Sequence, residues 1–195
     1  EEGSLIKRAI RDLYNKDIDD VIVSGEDGFR EAKEFMRLLM PSHAKNVQFW
    51  REPQALFAKA GAESQLDAMF SNVVTLKSGG YIVINQTEAL VAIDVNSGRA
   101  TREHNIEDTA LKTNLEAADE VARQLRLRDL AGLVVIDFID MEREGDREKV
   151  YQALEEALKK DRQKTNIFKI SELGLVEMTR KRTRENISRI LLAWP

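Results

Sequence analysis

Three side chains in this sequence stand where a catalytic cation could be held. Asp94 ends the apolar run Leu90-Val-Ala-Ile-Asp94, Asn96 follows it, and Asp137 closes a second run of the same kind, Leu133-Val-Val-Ile-Asp137. Short runs rich in Val and Ile read as buried strands. A carboxylate at the end of such a strand is costly to desolvate unless it is paired, hydrogen-bonded or bound to a cation. Two such ends converging would offer magnesium, a hard cation, the oxygen ligands it takes: one or two carboxylates, completed by water and substrate phosphates. A metal held there could activate water and offset charge developing on a phosphoryl group. Asn96 shares a face with Asp94 if the strand persists that far, because alternate side chains project the same way. It would serve as a neutral hydrogen-bonding partner. The competing reading is structural: Asp94 caps the turn at Asn96-Ser-Gly98, and Asp137 pairs with an arginine. Asp140 is either a third ligand or an exposed acid at the strand end.

Other chemistry is thinly represented. His43 and His104 stand alone without a Ser or Cys partner pattern, so nucleophilic catalysis has no support and both read as surface residues. The basic run Arg180, Lys181, Arg182 and Arg184, with Lys164, could contact the phosphates that supply much of nucleic-acid affinity; the plainer reading is a solvated face. Ser78-Gly79-Gly80 is too short for a phosphate loop and reads as a hairpin turn. Arg123, Arg126 and Arg128 fall at a helix C-terminus, where cations complement the dipole without any ligand.

The elements that must position the acids follow from periodicity. The chain has 195 residues, 43% hydrophobic and 33% charged, with net charge -4 and no cysteine. This bounds it to about one domain with a sizeable core, excludes a disulfide framework and a thiolate zinc site within the chain, and fits a reducing, cytoplasmic setting. No apolar run is long enough to span a bilayer and no signal-peptide pattern opens the chain. Helical spacing is read over residues 3–16, from Ser24-Gly25 to Pro41, in two short helices around Gly61, and over 106–127, 145–162 and 184–192. Strands are read at 20–24, 47–50, 73–76, 81–84, 90–94, 133–137, 166–170 and 175–178. Alternation of helix and strand predicts an α/β fold. The segment 73–94 reads as a three-stranded meander leading into Asp94, and the first third of the chain reads as structural support.

Taken together, Leu76-Lys-Ser-Gly-Gly-Tyr-Ile-Val-Ile84, Thr87-Glu-Ala-Leu90, Ala92-Ile-Asp-Val-Asn-Ser97, Thr113-Asn-Leu-Glu-Ala-Ala-Asp-Glu120, Arg123-Gln-Leu-Arg-Leu-Arg-Asp129, Ile136-Asp-Phe-Ile-Asp-Met141 and Leu175-Val-Glu-Met178 closely resemble the catalytic region of the ribonuclease E/G family. The match is dense from about residue 72 to 184 and weaker over Leu5 to Val23. The resemblance implies an endoribonuclease that cuts single-stranded, often A/U-rich RNA in rRNA maturation, tRNA processing and mRNA decay, leaving a 5′-phosphate and a 3′-hydroxyl. It implies that Asp94 and Asp137 hold magnesium and that Asn96 assists at the same site. It divides the α/β chain into a partial RNase H-like portion, residues 1–70, followed by a DNase I-like subdomain, 71–195, with a mixed sheet flanked by helices. Family members also carry an OB-type RNA-binding domain and a 5′-phosphate sensor before this region, and a Cys-Pro-x-Cys zinc link after it. The expectation is a fragment that stops before the zinc link, with weak activity by itself. Dimers or tetramers, and RNA-degradosome partners for an E-type member, are expected of the full-length form. The alternative is a non-catalytic RNA-binding or scaffold module working through the basic run.

Overall fold

Leu76, Ile82, Ile84, Val91, Ile93, Val95, Val134, Ile136, Val176 and Met178 bury every second side chain along successive strands, and this alternation builds the larger sheet of the molecule. The computed structural model describes residues 4–98 and 105–182. The chain divides into two compact units, with the boundary between Gln65 and Leu66.

In the first unit, α1 (Leu5–Leu13) precedes β1 (Val21–Val23), α2 (Glu26–Leu39), a 3-10 turn (Pro41–Asn46), β2 (Val47–Phe49) and α3 (Leu56–Lys59); α4 (Ala62–Ala68) straddles the boundary. Strands β1 and β2 pair in parallel, Val21 opposite Val47 and Val23 opposite Phe49, and α2 makes the crossover that a parallel pair requires. Ile10, Val23, Ala32, Met36, Ala44 and Val47 form a small core. Helix α1 is shorter than its periodicity predicts because Tyr14 turns extended at φ -73°, ψ 134°. Its hydroxyl meets His43 Nδ1 at 2.6 Å and accepts from Asn46 Nδ2 at 3.3 Å. His43 is therefore half-buried in a polar pair, not a free surface residue as the sequence suggests.

The second unit holds β3 (Val73–Thr75), β4 (Tyr81–Gln86), β5 (Val91–Asn96), α5 (Ile106–Leu127), β6 (Gly132–Asp137), α6 (Glu144–Leu158), β7 (Thr165–Ile167) and β8 (Leu175–Arg180). The six strands form one sheet in the order β3-β4-β5-β6-β8-β7. The predicted meander β3-β4-β5 is present, antiparallel throughout. The pair β5-β6 is parallel, with α5 as its crossover. Helix α5 matches its predicted limits, starting at Asn105, whose side chain accepts from the Glu107 N–H at 3.0 Å. Its buried face is rich in small residues: Ala110, Ala117, Ala118, Val121 and Ala122 lie inside with Leu125, whereas Leu111 and Leu115 pack at the margin. Small side chains let the helix approach its neighbours closely, and Phe138, Met141, Val150 and Leu154 fill the space around it.

Strand β8 runs two residues past its predicted end. The period of two that buries Val176 and Met178 then carries Arg180 inward as well. The predicted helix over 184–192 lies outside the described residues, as do Arg184 and His104. Among the described residues no helix is long and apolar enough to cross a membrane.

Candidate functional site

The parallel register of β5 and β6 sets Asp94 directly opposite Asp137 at the C-terminal ends of both strands, one step beyond the buried pair Ile93 and Ile136. Both acids and Asn96 alternate outward from the core and are exposed. Among the described residues neither acid has an ion-pair or hydrogen-bond partner. The turn after β5 is capped by Asn96, whose Oδ1 accepts from the Gly98 N–H at 2.9 Å. The structural role expected for Asp94 thus falls to Asn96, and among the described residues no arginine answers Asp137.

The two strand ends are held by contacts of different kinds. On the β5 side, the hairpin turn Ser78-Gly79-Gly80 lies against the backbone of Asn96 to Gly98. A Cβ on Gly80 would stand 2.8 Å from both the Asn96 carbonyl oxygen and Thr113 Cγ2, and one on Gly98 (φ +61°) would stand 2.7 Å from the Gly79 carbonyl oxygen. Only glycine permits this approach. The turn is tied to α5, since Ser78 donates from its N–H at 3.2 Å and its hydroxyl at 2.6 Å to Glu116 Oε2. On the β6 side, Asn114 of α5 is fully buried and meets Ile139 twice: its Nδ2 donates to the carbonyl and its Oδ1 accepts from the N–H, each at 2.9 Å. A buried amide satisfied in this two-point way fixes the chain that leaves Asp137. Glu107, near the start of the same helix, accepts from the N–H groups of Glu142 and Arg143 at 3.2 and 3.1 Å.

Burial first, then the like charges of Asp94 and Asp140, lift the Asp137 carboxyl above its usual range. Repulsion of that kind is what an opposite charge placed between the acids would relieve. Asp140 is exposed, and no third His, Cys, Asp or Glu among the described residues joins the pair in a metal-holding group. The donor set is two carboxylates at one end of the two central strands. That suits a hard cation whose remaining positions are taken by water and phosphate oxygens better than a fully protein-ligated one.

The predicted basic face splits. Arg180 is 4% exposed, with Nε and NH2 donating to Asp161 at 2.7 and 3.2 Å and NH1 donating to Asp129 at 2.9 Å and to the Leu130 carbonyl at 3.0 Å. Its guanidinium is committed inside the molecule, so it leaves the group of phosphate contacts. Lys181, Arg182 and Lys164 are exposed, and the Lys181 N–H donates to the Lys164 carbonyl at 2.9 Å, which sets those two lysines side by side, one just before β7 and the other just after β8. Arg128, expected only to complement the helix dipole, is also interior: it donates to Gln124 Oε1 and the Ser71 carbonyl, each at 2.8 Å. Asn114 and Glu116 were not singled out by the strand runs. The signal for Asn114 is a polar residue on the apolar stripe of α5 between Leu111 and Ala118; Glu116 lies off that stripe and has no such signal.

The fold and the site together define an α/β domain presenting two carboxylates, without a partner among the described residues, on adjacent parallel strands. The sequence profile of the ribonuclease E/G family matches residues 1–183, and the chain belongs to that family. It is 48% identical over 182 residues to Ribonuclease E of Haemophilus influenzae, covering 93% of this chain and 20% of that protein. It is 41% identical over 190 residues to Ribonuclease G of Escherichia coli K12, covering 97% of this chain and 39% of that protein. Ribonuclease E of the same E. coli strain is 45% identical over 183 residues, 93% of this chain and 17% of the relative. The chain thus spans about a fifth to two fifths of the length of these relatives.

Proposed function

We propose that this chain is the hydrolytic core of a magnesium-dependent endoribonuclease that cleaves phosphodiester bonds in single-stranded RNA, leaving a 5′-phosphate and a 3′-hydroxyl. The observation that carries the reading is the register of Asp94 opposite Asp137, both exposed and without a partner among the described residues, in a chain of the ribonuclease E/G family. Its substrates would be the RNAs of rRNA and tRNA processing and mRNA decay. In the same reading the first unit is part of an RNase H-like domain and the second a DNase I-like one.

Asp94 and Asp137 would hold the metal, which when bound supplies Lewis-acid activation of water and neutralisation of charge on the phosphoryl oxygens. The chain's own part is positional. Asp94 and Asp137 fix two oxygen donors on the sheet, and Asn96, with its Oδ1 engaged by Gly98, would offer its Nδ2 to a phosphate oxygen. Asn114 keeps the chain beyond Asp137 from drifting, and misplacement of a catalytic group by about 1 Å can cost on the order of a hundredfold in rate. Exposed Lys164, Lys181 and Arg182, at the opposite end of the sheet, would attract the RNA backbone at a distance from the acids.

The test is calorimetric titration of magnesium into the chain and into Asp94→Asn, with cleavage of a fluorogenic single-stranded RNA alongside. Saturable binding and cleavage, both abolished by the substitution, are expected. Undiminished cleavage in Asp94→Asn would refute the assignment. RNA binding insensitive to magnesium and to both aspartates, without cleavage, would favour a scaffold module.

A further inference from the structure

Far along the chain from the acid pair, the first unit carries a groove whose chemistry is not structural. Arg30, Lys33 and Arg37 recur at helical spacing on one face of α2, where residues three and four apart are neighbours. They face Phe49 of β2 and Arg51 just beyond it across a cavity of about 510 Å³, which Phe29, Glu26 and Glu34 complete. Four cations against two carboxylates give this groove a positive balance in a chain of net charge -4.

Two of the cations rest on rings. The Arg51 guanidinium lies 5.5 Å from the centre of the Phe49 ring, and Lys33 Nζ lies 5.7 Å from that of Phe29. The two rings pack edge to face, 5.5 Å apart at 68°. Among the described residues Arg30, Arg37 and Arg51 make no ion pair, although Glu26 and Glu34 line the same cavity. A cation resting on a ring face keeps its N–H donors for another acceptor. Both phenylalanines are half-buried, so each ring keeps an exposed part. Phosphate donors interleaved with stacking surfaces, including a guanidinium plane, are what an unpaired nucleic-acid strand engages.

We propose that this groove of the first unit is a separate binding site for single-stranded RNA, with Arg30, Arg37 and Arg51 on the phosphates and a base stacked at the Phe49–Arg51 surface. The ligand class rests on the RNA-cleaving reading above; the site itself does not depend on the acid pair. A strand bound here would be tethered independently of metal.

Fluorescence anisotropy of labelled single-stranded oligo(A) with the whole chain, in EDTA to prevent cleavage, tests this. Arg37→Glu combined with Arg51→Glu is expected to weaken binding about tenfold or more. The same pair should flatten the salt dependence by about 0.7 in slope for each phosphate that goes unneutralised. Phe49→Leu, which keeps apolar packing, should weaken binding by about fivefold. Asp94→Asn should bind as the parent does. Thermal melts establish that each variant is folded; if the double variant is not, Arg37→Gln with Arg51→Gln takes its place. Parent-like affinity in the charge variants, or no binding by the parent, overturns the proposal. Equal affinity for a blunt RNA duplex, or displacement of oligo(A) by poly-glutamate at lower concentration, overturns the single-strand assignment. Cleavage retained in Asp94→Asn, with binding still weakened in the groove variants, would reject the proposed active site and leave this one standing.

Discussion

The large sheet carries acids at both of its ends, and the two ends treat them in opposite ways. At one end Asp94 and Asp137 sit side by side, exposed and without a partner among the described residues. At the other, Asp129 and Asp161 close on Arg180, with Asp161 2% and Arg180 4% exposed. Burial pulls the Arg180 guanidinium down, yet the carboxylates of Asp161 and Asp129 outweigh it and hold it above its usual value. At the open end burial and like charge act in the same direction and lift Asp137. Charge at the closed end is satisfied by the fold. Charge at the open end has no answering partner among the described residues, which is the pattern expected of an acid that meets a ligand.

The contrast can be broken most sharply at the open end. Asp94→Asn or Asp137→Asn should lower RNA cleavage by at least about a hundredfold in single-turnover assays, while thermal stability stays the same or rises because a repulsion has gone. A large loss of stability would mean the acids are structural after all. Arg180→Ala should do the reverse: a buried pair broken on one side costs about 3–5 kcal/mol, seen in urea unfolding, with RNA affinity of the folded fraction unchanged. Loss of RNA affinity without loss of stability would return Arg180 to the phosphate-binding group.

A smaller effect is expected where the two behaviours meet. Asn114→Leu removes the two-point hold on Ile139 and leaves that backbone unsatisfied, at a cost of about 2–4 kcal/mol. Its turnover should fall more than its RNA affinity, because positioning and not binding is impaired; equal falls would make Asn114 merely structural. The smallest effect is at Glu107, whose carboxyl the N–H groups of Arg143 and Glu142 hold below its usual range. A depressed acid contributes above its unfolded pKa and loses that contribution as pH falls through the folded one. Protection of the Glu142 and Arg143 amides, measured against their intrinsic exchange rates, should therefore fall as pH drops below the ordinary glutamate range, and in Glu107→Gln this pH dependence should vanish.

Much of this was legible in the sequence, because the strands that carry the acids are short, apolar and bounded by turn residues, and α5 is a long helix with clear limits. The pairing of Asp94 with Asp137 was visible as two similar runs. Their exact register was not, since it is set by how α5 packs, through the small-residue face that periodicity underweights. Arg180 shows the opposite failure. A basic run invites a reading as one surface, but a strand alternates, and one more pair of residues on β8 sends Arg180 inside and leaves Lys181 out. Helical spacing in the first third of the chain was plain, yet its groove depends on Phe49 and Arg51 meeting α2 through the β1-β2 pairing, which no local pattern reports.

The parallel pairing of β5 and β6 has a bearing on how the molecule comes into being. Antiparallel neighbours can zip from a hairpin, but this pair must wait for the whole of α5 to be made, folded and laid across the sheet before Asp94 and Asp137 meet. A nascent or partly unfolded chain therefore holds both acids apart. The proposed centre would assemble only when the crossover is finished, so a half-made copy would not yet have its two carboxylates together.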